Sequence, residues 1–232
     1  MNSKHVMVAL DNMDKEKCFS FLKRLPEELP LVKIGLEMFN RYGASFVREV
    51  ATTFQKRIFL DLKLHDIPNT VEKAILSLEG LPIDFLTVHL SGGRAMLEAC
   101  QRARNKAHPN LNILGVSFLT SLGNQDFKEL FDLEPSQQKE AFRRLFALAQ
   151  ETHTQGIVCS PLELEILESY PQLMSVCPGI RFQDEIDQGN IGDQQRVLSP
   201  KSAFEAGANY LVMGRSLTQA NDLQQRTREL NS

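Results

Sequence analysis

The chain has 232 residues, 42% of them apolar and 24% charged, enough to bury one substantial core with an ordinary globular balance. A net charge of −3 exerts no general pull on nucleic acid or anionic lipid, so a bound phosphate would have to be held by a few placed groups. No run approaches the roughly 18 apolar residues of a membrane span. Met1 to His5 lead into a strand-like run with no apolar leader region, and the four cysteines show no C-x-x-C spacing that would suggest zinc or a disulfide framework. The expectation is a cytoplasmic protein with reduced thiols and with no membrane or nucleic-acid partner.

Short apolar runs alternate with amphipathic stretches along the whole chain. Val6–Leu10 reads as a strand ending at Asp11, followed by a helix through Cys18–Leu22 for which Asp14 is the better cap. Leu31–Gly35 is a second strand with a helix through Phe46–Val50 after it, and Lys56–Leu60 leads a third strand into Asp61. Pro68 and Asn69 break that strand, and a helix starts near Thr70 with Asn69 or Thr70 as its cap. Ile83–His89 and Leu111–Ser117 are the fourth and fifth strands, separated by a helix over Ala95–Ala107. Two helical patterns, around Asp126–Phe131 and Ser136–Thr152, precede strands at Gly156–Cys159, Leu173–Cys177 and Tyr210–Met213. Such alternation, without a linker or a shift in composition, predicts one (β/α)8 TIM barrel domain spanning residues 1–232. A doubly wound open sheet is the alternative, but the turn after the first strand, Leu10-Asp11-Asn12-Met13-Asp14, lacks the glycine pattern such sheets favour.

A barrel carries its chemistry at the C-terminal ends of its strands. Polar residues expected there are Asp11, Lys33, Asp61, Lys63, Thr120, Arg181, Gly214 and Arg215. Period-two alternation points Asp61 and Lys63 the same way and leaves Asp66 out of phase. Lys33 interrupts an apolar strand, where an unpaired ammonium is costly, so a carboxylate partner is expected. Gly214-Arg215 opens a short helix after the eighth strand, a place where barrels often hold phosphate. Arg181 leads into the aperiodic polar stretch 182–195, which suggests a mobile lid with Gln194 on its far side.

The decapeptide Asp61-Leu62-Lys63-Leu64-His65-Asp66-Ile67-Pro68-Asn69-Thr70 resembles the active-site strand of the orotidine 5′-phosphate decarboxylase family, in its bacterial, single-function form. Val8–Asp11, Val32–Gly35, Leu119–Ser121, Pro178–Arg181, Gly192–Gln194 and Met213–Arg215 resemble further motifs of that family in the same order. Phe118 stands where the family often has Gln, and Ser216 where it often has Pro. The resemblance implies decarboxylation of orotidine 5′-monophosphate to UMP and CO2 in pyrimidine biosynthesis, with no metal and no organic cofactor. It implies Lys63 as proton donor, with Asp61, Asp66 and Lys33 completing an alternating chain of charges. It further implies that Asp11 and Lys33 bind the ribose, Thr120 the base, and Arg181, Gln194, Gly214 and Arg215 the phosphate side. Asp66, Ile67 and Thr70 would reach across the interface of a homodimer. The rival readings are a metal-dependent decarboxylase or aldolase of keto-sugar phosphates on the same barrel, and a non-catalytic nucleotide-phosphate sensor. The His65 and Ile67–Thr70 context speaks against the first, and retention of Lys63 with its carboxylates against the second.

Overall fold

Eight short runs rich in Val, Ile, Leu and Phe become the strands β1 (Val6–Ala9), β2 (Leu31–Gly35), β3 (Arg57–Leu64), β4 (Phe85–His89), β5 (Asn112–Val116), β6 (Gly156–Val158), β7 (Met174–Cys177) and β8 (Tyr210–Met213). In the computed structural model, which describes residues 3–189 and 197–231, these strands pair in parallel, each with the next in sequence, and β8 pairs with β1 to close the barrel. Parallel strands in a barrel are covered on both faces, which is why they read as near-continuous apolar runs. The fold is the expected (β/α)8 barrel.

Alternation along each strand divides the core in two. Met7, Leu31, Phe59, Phe85, Leu114, Val176 and their neighbours pack together inside the barrel. Val6, Val8, Val32, Ile34, Ile58, Leu60, Leu86 and Val88 belong to the larger cluster between the sheet and its helices. The register pairs Ala9 with Lys33, Lys33 with Phe59, and Gly35 with Asp61. Lys33 and Asp61 therefore occupy inward positions one layer above the apolar filling, at the C-terminal mouth.

The helices follow local signals with some departures. Asp14 caps Lys15–Leu22 as expected, its Oδ1 accepting the Lys17 N–H at 2.8 Å. The helix after β3 does not use Asn69 or Thr70 as a cap. It runs Pro68–Leu76 behind Ile67, with no side-chain cap, because Pro at the first helical position needs no N–H partner and already has a helical φ. Part of the aperiodic stretch after Arg181 is also ordered into a helix, Gln183–Asp187. Glu185 Oε2 accepts the Phe182 N–H at 2.8 Å, and Arg226 of the Leu223–Leu230 helix grips both oxygens of Asp184. Among the described residues no helix is long and apolar enough to cross a membrane.

Candidate active site

Four charged side chains from β1–β3 meet at the barrel mouth. Asp11 lies just after β1 and receives the Lys33 Nζ at 2.8 Å on Oδ2 and 3.2 Å on Oδ1. The same ammonium stands 3.7 Å from Asp61 Oδ2, and Lys63 Nζ donates to both Asp61 oxygens at 2.8 Å. The order is carboxylate, ammonium, carboxylate, ammonium. Lys33 and Asp61 are each only 8% exposed, and neither could be kept charged there alone. The partner expected for Lys33 is thus two carboxylates, with Asp61 held between two ammonium groups.

Burial by itself would raise the Asp61 carboxyl. Lys33 and Lys63, with hydrogen bonds from Lys63 and Thr87, outweigh it and hold the group below the usual carboxylate value. Nearby His89 is pushed below the ordinary imidazole value, first by burial and then by His65 and Lys63. The rings of His65 and His89 are 5.2 Å apart.

Simple alternation does not explain how Lys63 reaches Asp61. Lys63 has φ +47°, in the left-handed region that non-glycine residues rarely enter. The β3–β4 register shifts between Leu60 and Leu64. The two side chains do converge, but through a local twist rather than a regular pleat. Two residues that sequence reasoning missed frame this geometry. Thr87, wholly buried on β4, accepts the Lys63 N–H at 2.9 Å and donates to Asp61 Oδ1 at 2.8 Å. Gly35 leaves the space that the Asp11–Lys33 pair fills, since a Cβ there would stand 2.7 Å from Asp11 Oδ1. The available signal was a polar Thr at an inward strand position and a glycine ending an otherwise apolar strand.

Asp66 does not join the group within its own chain. Its Oδ1 accepts the Ile67 N–H at 2.7 Å, and among the described residues it forms no ion pair. Asp66, Ile67 and Thr70 all face outward, and Ile67 is 66% exposed. Thr120 lies half-buried in the loop after β5. Arg181 is buried after β7, with Nη1 donating to the Ile180 carbonyl at 2.9 Å, and Arg215 is exposed after β8. Both arginines line a cleft of about 1200 Å3 shared with Phe182, Ser199 and Ser216. That cleft lies to the β7–β8 side of the charged quartet and does not include it. Gln194 lies outside the described residues. Phe118, where the family often has Gln, packs edge-on against Phe127, Phe131 and Phe142, so its role is to fill the core under the helices Asn124–Phe131 and Pro135–Glu151.

The family model described as "Orotidine 5'-phosphate decarboxylase / HUMPS family" matches residues 4–230. The chain belongs to this family. Among its relatives, the orotidine 5'-phosphate decarboxylase of Ehrlichia chaffeensis is 42% identical over 221 residues, covering 94% of this chain and 91% of the relative. The protein of the same name from Opitutus terrae is 40% identical over 219 residues, 94% and 92% of the two chains. The crystal structure of orotidine 5'-phosphate decarboxylase from Lactobacillus acidophilus superposes with a TM-score of 0.80 at 31% identity, covering 97% of this chain and 96% of that one. The family match runs through every strand of the barrel and so includes the whole charged quartet.

Proposed function

We propose that this chain decarboxylates orotidine 5′-monophosphate to UMP and CO2, with Lys63 as the proton donor. The observation that carries the reading is the Asp11–Lys33–Asp61–Lys63 chain of alternating charges at the mouth of a barrel of this family. The substrate carboxylate lies beside Asp61, and the C6–carboxylate bond breaks to release CO2 while its electron pair stays on C6. The Lys63 ammonium stabilises that developing negative charge and then gives C6 a proton, leaving UMP. Electrostatic stabilisation by a fixed ammonium carries more weight than repulsion from Asp61, because a preorganised charge needs no reorganisation as the reaction proceeds.

Asp11 and Lys33 bind the ribose hydroxyls and Thr120 the base. Arg181, Gln194, Gly214 and Arg215 serve the phosphate. Arg181 and Arg215 open onto one cleft beside the charged quartet, which supports a phosphate held away from the reacting carbon. Binding energy from that remote group lowers the barrier when it is realised only as the site closes. The working unit is a homodimer of single-domain barrels, residues 1–232, in the cytoplasm, with Asp66, Ile67 and Thr70 completing the neighbour's site. Supporting the dimer, Asp66 has no ion-pair partner among the described residues of its own chain, and beside it a large apolar side chain stands in solvent. Free thiols at all four cysteines suit a reducing compartment.

The test is a spectrophotometric assay of purified protein with orotidine 5′-monophosphate, run with and without EDTA. UMP formation that survives EDTA is expected. No turnover, or turnover only of a keto-sugar phosphate with added metal, would overturn the reading.

A further inference from the structure

We infer that Thr87 is a positioning residue for Lys63, its hydroxyl fixing the backbone twist that sets the ammonium against Asp61. The inference rests on the proposed role of Lys63 as proton donor and adds a residue to it.

Thr87 is wholly buried at an inward position of β4, one layer above Phe85. A hydroxyl has one hydrogen to give. Here it goes to Asp61 Oδ1, 2.8 Å away, so the oxygen lone pairs are left to receive the Lys63 N–H at 2.9 Å. One side chain thus ties the backbone of Lys63 to the carboxylate that its ammonium also contacts. The place of this contact matters. The β3–β4 register slips between Leu60 and Leu64, and the Thr87 oxygen supplies an acceptor for the Lys63 N–H inside the slip. Lys63 is also the residue of β3 with left-handed backbone, a conformation that persists only where its surroundings over-determine it. Without the hydroxyl, the Lys63 N–H and Asp61 Oδ1 each lose a buried partner, and the backbone is free to relax toward an extended strand that aims Lys63 differently.

The experiment compares wild type, Thr87→Val and Thr87→Ser. Val keeps the β-branched shape that a strand favours but removes the hydroxyl; Ser keeps the hydroxyl. For Thr87→Val, kcat falls about 10- to 100-fold, the worth of a hydrogen bond to a charged group, while UMP affinity stays close to wild type. Thr87→Ser restores most of the lost rate. The acid limb of kcat/KM moves to higher pH in Thr87→Val, because one of the hydrogen bonds holding Asp61 ionised is gone; the charged or titratable groups around it, Lys33, Lys63, Asp11, His65 and His89, are unchanged. In hydrogen-exchange NMR the Lys63 amide is protected in wild type and Thr87→Ser but not in Thr87→Val. A Thr87→Val enzyme with wild-type kcat, a Ser variant as impaired as the Val variant, or UMP binding lost in step with kcat would each overturn the inference. A wild type that never turns over orotidine 5′-monophosphate sinks the functional reading instead, and the Lys63 amide protection then still decides whether Thr87 holds that backbone.

Discussion

Gly35 and Asp11 share one small volume: a Cβ on Gly35 would lie 2.7 Å from Asp11 Oδ1 and 3.0 Å from Lys33 Nζ. Gly35 has φ −90°, a conformation open to any residue, so it is this space and not its backbone that excludes a side chain. Gly35→Ala is therefore expected to fold and to push Asp11 off Lys33. Because a displacement near 1 Å at a positioning group costs up to about 10²-fold, kcat/KM should fall by about one to two powers of ten. Steady-state kinetics with a thermal melt checks this; an unchanged kcat/KM in a folded variant would show that the Asp11–Lys33 pair tolerates the move.

The Asp61 carboxyl, usually near 3.8, is held lower in the folded chain. A depressed folded value adds stability that is fully present above the unfolded value and lost as pH falls through the folded one. Urea unfolding of wild type and Asp61→Asn from pH 7 downward should show wild type losing more stability on acidification below about pH 4, near the unfolded carboxylate value. Parallel pH profiles for the two proteins would mean that Asp61 is not held ionised by Lys33 and Lys63.

Much of this architecture is legible in the sequence because the physics is local. Buried parallel strands must be apolar on both faces, so β1–β8 stand out as runs, and a lone Lys33 inside such a run demands a partner. The twist at Lys63 is not legible, because nothing in the lysine side chain favours a left-handed backbone; it coincides with a slip against β4, a pairing between residues distant in the chain. Thr87 is hard to see for the opposite reason, since Thr is common in strands and only its inward position, not its type, sets it apart. The Gln183–Asp187 helix is too short to show a period. What holds it is Arg226, 42 residues away from Asp184 in the chain.

Arg215→Ala should lower kcat/KM for orotidine 5′-monophosphate by several powers of ten, since a charge-assisted contact is removed from the phosphate side. The same change should matter far less for orotidine, which lacks the phosphate. Equal losses for both substrates would make Arg215 a structural residue and move the phosphate elsewhere.

The outward-facing Asp66 gives the dimer a test of its own. Lys63→Ala and Asp66→Ala homodimers should each be nearly inactive. Mixed and allowed to exchange, they form heterodimers with one intact site and one doubly damaged site, so roughly a quarter of wild-type activity should return in a two-fold dimer. Differently tagged chains show whether exchange has occurred. Heterodimers with only background activity would place Asp66 in its own chain's site.

The most direct measurement concerns the hydrogen that replaces CO2. Wild type and Lys63→Ala are each incubated with orotidine 5′-monophosphate in D2O, and the product is examined by NMR at C6. Wild type should give UMP carrying one solvent-derived deuterium at C6. Lys63→Ala should bind UMP with nearly wild-type affinity and form none. Appreciable deuterated UMP from the folded Lys63→Ala protein would contradict the assignment of Lys63 as the proton donor.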